Sequence, residues 1–339
     1  MVVIQTMYVC VALVALHLAC GAPAKPLDAR GPDPTRIELA PGDLTFEGMC
    51  DASGAVPLGS LRFAVADDED SVLRIYDSKR GGPPVSTLDV SSAILVATSD
   101  EADIEAATRV GDVAYWITSH GRRKDGGPAP ARLRFFGTTT PSGDEPMRVL
   151  GTTDRLLAAM IVEPKFAQLG LARAASLAPT APGGLNIEGL SRRSEGGVWI
   201  AFRNPIIDGK ALLIGLENPL AVIRGEPAKF AAPVLLALDG LGIRAMTNYR
   251  GRYAIVAGHP IHARRSVLHV WNGIRSVPRA LRNVDLLQFN AEAFVTRDEQ
   301  DRIMLLSDDG SVMIDGQECK HLTDSSRKQF HGRWIKLPR

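Results

Sequence analysis

The sequence predicts an all-β propeller, five blades preferred and six the alternative, with a short helical insertion between blades two and three. Three observations predict it. First, one pattern recurs along the 339 residues. It reads LTFEGMCDASGAVPLGSLRFAVADDED from Leu44, ADIEAATRVGDVAYWITSHGR from Ala102 and LNIEGLSRRSEGGVWIAFRNP from Leu185. It returns as LGIRAMTNYRGRYAIVAGHP from Leu241 and FNAEAFVTRDEQDRIMLLSDDG from Phe289. Each copy has a Glu or Arg between small or apolar residues, a polar turn, an apolar strand and an abrupt polar tip. A β-rich repeat at such a period marks a propeller or a similar array. Second, each interval holds further strand-like segments, such as SVLRIYD and VSTLDV after the first copy, and four short strands make one blade. Third, no terminal blade can leave its edge open cheaply, so an N-terminal strand is expected to close the ring with the last blade. The sixth-blade alternative draws on Arg36 to Ala40 and the C-terminal RWIKLP.

The elements follow in order. Residues 1–24 read as a signal peptide: Val9 to Leu18 is nearly all apolar, and Ala22-Pro23-Ala24 offers a cleavage site. Cys20 offers a lipoprotein alternative. Residues 25–36 read as a linker and 37–339 as the propeller. Within it, residues 154–179 form the helical insertion, with apolar spacing at Leu157, Met160 and Ile161 and a helix start at Pro164. It reads either as an outer packing pair or as a lid. No later segment is long and apolar enough to span a bilayer. The expected location is therefore periplasmic or extracellular, with a membrane attachment only through Cys20. Beyond the leader two cysteines remain, Cys50 and Cys319, a candidate disulfide in an exported chain.

The first strand of a blade lines the central channel, and alternate residues point inward. Glu47, Glu105, Glu188 and Glu292 share one phase of that strand, with Arg244 in the fifth copy. They are expected to converge near the axis, where like charges raise one another's pKa or recruit a cation. Oxygen ligands without sulfur favour a hard ion such as calcium. The alternative is a wet channel with an Arg–Glu network and no metal.

All second strands end on one face, and their tips form a polar rim. Candidate ligand-binding residues there are Asp67, Arg122, Arg203, Asn204, His259, Arg265 and Asp308. His120, Asp68 and Glu69 are candidates for activating water. The formal net charge of +1 excludes a nucleic-acid binder driven by bulk charge. No P-loop, nucleophile elbow or zincin motif is present. Two functional classes remain. One is a binding module for a small anionic ligand, a glycan, a peptide or an envelope protein. The other is a metal-dependent hydrolase of phosphoester-type substrates.

The segments FEGMCDASG, VADDEDSVLRIYD, EADIEAA, SHGR, GGLNIEGL, FRNP, GLGIR and LLSDDG resemble the bacterial domain-of-unknown-function 3616 family, from Leu44 to the C terminus. More loosely, IEGL followed by a turn and strand is similar to esterase-like phytase propellers. A ring of channel glutamates is similar to calcium-activated nucleotidases, and that resemblance implies calcium in the channel. Arg244 departs from the nucleotidase pattern, which has a neutral oxygen ligand at that place.

Overall fold

The computed structural model describes residues 40–338, apart from 98–99, 144, 262–265, 282–283, 285, 287 and 298–301. The leader, the linker, Cys20 and Arg265 lie outside the described residues. Five four-stranded antiparallel sheets form the blades of a propeller. Strand β1 is Leu44–Glu47. Blade one is β2 (Gly54–Leu58), β3 (Arg62–Ala66), β4 (Val72–Asp77) and β5 (Ser86–Asp89). Blade two is β6 (Ile104–Val110), β7 (Val113–Thr118), β8 (Phe135–Thr139) and β9 (Val149–Thr153). Blade three is β10 (Asn186–Arg192), β11 (Val198–Ile207), β12 (Lys210–Leu216) and β13 (Val234–Leu236). Blade four is β14 (Gly242–Tyr249), β15 (Arg252–Gly258), β16 (Val267–Trp271) and β17 (Arg279–Ala280). Blade five begins with β18 (Ala291–Thr296) and β19 (Ile303–Ser307). A small hairpin follows, β20 (Met313–Ile314) and β21 (Gln317–Glu318), and then β22 (Gln329–Ile335).

The order in blade five is β18-β19-β22-β1. The N-terminal strand therefore closes the ring by pairing with the C-terminal one, Leu44 opposite Gly332 and Glu47 opposite Gln329. This removes the exposed edges that an open array would leave. RWIKLP is thus not a sixth blade; its first half, Arg333 to Ile335, belongs to β22. Phe46 anchors the closure. It is fully buried, with ring centroids 5.2 Å from Phe63, 5.3 Å from Tyr76 and 5.0 Å from Phe330. A disulfide, Cys50–Cys319, ties the chain leaving β1 to the segment after β21.

Tight hairpins build the blades. Asp208-Gly209 and Arg250-Gly251 both take positive φ, the geometry of two-residue turns that match strand twist. The core is distributed. Each seam between neighbouring blades carries its own apolar cluster: Trp116 lies between blades one and two, and Trp199 and Trp271 lie between three and four. The insertion is α1 (Leu156–Val162), a 3-10 segment (Pro164–Leu169) and α2 (Leu171–Ala174). Leu156, Met160, Phe166 and Leu171 are buried in the cluster that joins blades two and three. The lid reading fails on that burial, because the insertion's apolar face is part of the seam.

Candidate functional site

The inner strands β2, β6, β10, β14 and β18 line the axis in tiers. The phase is set by a shared frame: Asp103-Ile104-Glu105-Ala106, Asn186-Ile187-Glu188-Gly189, Gly242-Ile243-Arg244-Ala245 and Asn290-Ala291-Glu292-Ala293. In all four, the charged residue is skipped in the pairing with the second strand. It sits in a β-bulge, a device that re-aims one side chain without displacing the strand. Blade one matches this frame with Asp51-Ala52-Ser53-Gly54, so Ser53 takes the place expected of Glu47. Glu47 itself lies in β1, the outermost strand of the last blade, far from the inner row. The expected ring of four glutamates is therefore a row of three, with Ser53 and Arg244.

Two residues further along each strand the side chains are Ala55, Ala107, Leu190, Met246 and Phe294. They form an apolar collar around a gap of about 20 Å³. The collar separates two mouths. The mouth at the polar rim opens into a funnel of about 670 Å³, lined by eleven carboxylates and six cationic side chains. Full ionisation would leave a marked negative excess, and the funnel resolves it differently on its two sides.

On the side of blades three to five, carboxylates are matched by arginines. Glu188 is 5% exposed. Its Oε1 accepts from Arg203 Nη1 at 2.7 Å and from Asn186 Nδ2 at 2.7 Å, and its Oε2 lies 3.8 Å from Arg244 Nε. Arg244 also pairs with Glu292 and donates from Nη1 to Asn290 Oδ1 at 2.7 Å. Burial works against the charge of Arg203, but the Glu188 carboxylate more than offsets it and raises its pKa. Burial and the neighbouring Arg203 charge lower that of Arg244. Glu188 and Glu292 are thus both paired with guanidinium groups.

On the side of blades one and five, the acids face each other. Oxygen atoms of Asp51, Asp67 and Asp68 lie within 4.8 Å of one another. Asp51 also shares a hydrogen bond with Asp308, and both accept from Gly310 N, at 2.6 and 3.0 Å. A Cβ on Gly310 would collide with the Asp51 carboxylate, so only glycine fits there. Burial and then the charges of Asp308, Asp68 and Asp67 push the Asp51 carboxyl up to about 12. Burial and Asp70 push Asp67 up to about 7. Burial, Asp67 and Asp308 raise Asp68 well above the usual range. Asp308 goes the other way: burial would raise it, but the shared hydrogen bond from Asp51 and the Arg244 charge hold it low. Asp68 Oδ1 is buried with no hydrogen-bond partner. Asn290 Nδ2 donates to Asp308 Oδ2 at 2.8 Å, linking the acid cluster to the arginine network.

Between the two sides stand Asp103 and Glu105. Arg132 lies 3.1 Å from Asp103 and 2.6 Å from Glu101. Burial outweighs Arg132 and raises Asp103 to about 6. Burial, then the charges of Asp103, Glu188 and Asp68, raise Glu105 well above the ordinary range.

The other rim candidates have different positions. Glu69, Arg203 and Asp308 line the funnel, and Asp67 stands behind Asp68 with its Oδ1 accepting from Glu69 N at 2.9 Å. His120 does not line the funnel. It is buried, its Nδ1 lies 2.8 Å from the Thr118 carbonyl, and burial pushes its pKa down to about 4, so it is a neutral wall residue. Arg122 donates to the carbonyls of Ala175 and Gly126, and Asn204 donates to those of Pro179 and Ala181. Both hold the insertion against the rim instead of facing a ligand. His259 Nδ1 accepts from Ile261 N at 3.2 Å, and its carbonyl accepts from Arg203 Nε; it too stands outside the funnel lining.

No family model matches the chain, and no curated protein matches it. Similar folds occur among solved structures. Glutaminyl cyclase of Myxococcus xanthus is 12% identical with a TM-score of 0.44, covering 89% of this chain and 97% of its own. A GH43 β-1,3-galactosidase with bound galactodeoxynojirimycin is 9% identical with a TM-score of 0.49, covering 85% and 91%. The PQQ-bound aldose sugar dehydrogenase of Streptomyces coelicolor is 10% identical with a TM-score of 0.41, covering 86% and 98%. The likeness is one of fold alone.

Proposed function

We propose that the protein is a ligand-binding propeller whose funnel takes a divalent cation at Asp51, Asp67 and Asp68, and through it an oxygen-rich ligand such as a glycan or a small anion. The observation that carries this reading is the acid cluster with a buried oxygen, Asp68 Oδ1, that has no hydrogen-bond partner among the described residues. A buried acceptor without a donor is costly, and a cation would satisfy it while relieving the repulsion that raises the pKa values of Asp51 and Asp68. The all-oxygen donor set suits calcium best. An anionic ligand approaching this funnel needs such a cation, because the lining is otherwise net negative. The Cys50–Cys319 disulfide supports an exported protein in an oxidising compartment. Among the described residues no helix is long and apolar enough to cross a membrane.

A second reading, metal-dependent hydrolysis of a phosphoester, is favoured by Glu105. This residue lines the same funnel, and burial with the charges of Asp103, Glu188 and Asp68 raises its pKa well above the ordinary carboxyl range, the direction a general acid needs. The cation would then supply Lewis-acid assistance to an attacking water. One experiment separates the readings. Calcium is titrated into the metal-free protein, and a phosphoester panel is run with and without chelator. Calcium binding without turnover supports the binding module, chelator-sensitive turnover supports the hydrolase, and failure of calcium, magnesium and manganese to bind contradicts both.

A further inference from the structure

The mouth on the far side of the collar has the opposite chemistry. A cavity of about 310 Å³ opens there, lined by Arg109, Arg192 and Arg297 with Thr108, Thr247 and Asn248. Among the described residues no carboxylate lines it. We infer that this basal mouth is a binding site for a small oxyanion, phosphate-like or polycarboxylate, held by Arg192 and Arg109 and by the donors beside them.

The polar groups around the cavity are set as donors. Arg192 Nη2 donates to Asn248 Oδ1 at 3.1 Å, which occupies the acceptor of that amide and leaves its hydrogens for another partner. The backbone N of Arg192 donates to Thr108 Oγ1 at 2.9 Å, so the hydroxyl hydrogen of Thr108 remains available. Arg109 is braced by carbonyls, Nε to Gly111 at 2.7 Å and Nη1 to Pro57 at 3.5 Å, which fixes the guanidinium at the cavity wall. Its acidic neighbour Asp112, 3.6 Å away, is fully exposed and does not line the cavity. Arg297 is buried and donates from Nη2 to the Arg62 carbonyl at 3.3 Å. Arg192, whose guanidinium donates to a neutral amide, keeps its charge for a ligand, and planar donors fit phosphate and carboxylate in pairs. The apolar collar keeps the funnel's carboxylates away from this charge. The volume falls within the range of small-ligand sites.

The inference is independent of the funnel reading, and removal of metal keeps the two apart. Inorganic phosphate, and citrate in a parallel arm, are titrated calorimetrically into the purified chain after its metal has been stripped and the chelator removed by dialysis. The expected result is one anion bound per chain, weakened by added sodium chloride. Binding should fall by about tenfold or more in Arg192→Gln, the loss of one charge-assisted contact, and in the same direction in Arg109→Gln. Arg109 is partly exposed, so its variant serves even if Arg192→Gln folds poorly. Citrate binding in place of phosphate would assign a carboxylate source and support the site. If neither anion binds, or if both arginine variants bind as tightly as wild type, the inference is overturned.

Discussion

The two mouths of the channel are lined by the same five strands, yet one is an acid funnel and the other is basic. The difference arises four residues along each strand. Blade two carries Glu105 at the funnel and Arg109 at the base, and blade three carries Glu188 and Arg192. A strand's period of two keeps all these side chains on the axial row, so charge alone changes along it. The mouths also differ in how charge is held. In the funnel it is buried and matched by opposite charge or by protons. At the base Arg192 is braced by an amide, and Arg109 by carbonyls with the exposed Asp112 at its outer side. Substitutions in the funnel should therefore act on stability, and those at the base on binding.

The largest effect is expected at Glu188. Glu188→Ala strips the half-buried Arg203 of its 2.7 Å partner and leaves it facing the buried Arg244, which keeps Glu292 as its ion-pair partner. A loss of about 3–5 kcal/mol is expected in chemical denaturation. Glu188→Gln should recover part of it, and coupling of Glu188→Ala with Arg203→Ala should be clearly non-additive. A loss below about 1 kcal/mol, the range of a surface pair, would mean the funnel network is solvated.

Next comes the disulfide. Cys50 adjoins Asp51, and Lys320 beside Cys319 lines the funnel, so the bond holds the acid cluster together as well as closing the ring. Replacing both cysteines by alanine should cost about 2–5 kcal/mol in the same assay and weaken calcium binding. Unchanged calcium affinity would show that Asp51 is positioned by Gly310 and Asp308 alone.

The pH dependence is a smaller effect. Asp67 at about 7 and Asp103 at about 6 lie above the ordinary value of 3.8. The folded protein then holds protons that the unfolded chain releases. The associated stability is complete below the unfolded value and is lost as pH rises through 6 to 7. The melting temperature in EDTA should fall between about pH 5 and about pH 8, and calcium should reverse the trend. A rise with pH in EDTA would contradict the raised carboxyls.

At the base, Arg192→Gln should change stability by no more than about 0.5 kcal/mol while weakening anion binding. A large destabilisation there would make Arg192 a structural residue like Arg203 and erase the contrast between the mouths.

The blades were legible because their strands repeat with turn chemistry and alternation intact, as in DG at 208–209 and RG at 250–251. The channel phase was legible from IEA, IEG, IRA and AEA. It failed in blade one because Glu47-Gly48-Met49 imitates Glu188-Gly189-Leu190. The better guide was the Asp or Asn two residues before the charge, as in Asp51, Asp103, Asn186 and Asn290, which would have placed Ser53 in the row. Asp51 was missed for the same reason, since its importance depends on Asp67, Asp68 and Asp308, which adjoin it only in the folded ring. The rim residues Arg122 and Asn204 donate to backbone carbonyls, a partner that sequence alone does not reveal, because a loop donor aimed at a carbonyl looks in sequence like one aimed at a ligand. The basal arginines carried no signal beyond their spacing from the glutamates.

The proposed cation site at Asp51, Asp67 and Asp68 leaves Asp68 Oδ1 without a partner among the described residues. The direct measurement is calorimetric titration of calcium into metal-free wild type and Asp68→Asn, at two pH values on either side of the Asp67 transition near 7. The account predicts one site in wild type, tighter at the higher pH because binding releases protons from the cluster, and at least about tenfold weaker binding in Asp68→Asn. No calcium binding by wild type, or equal binding by the two proteins, would contradict it.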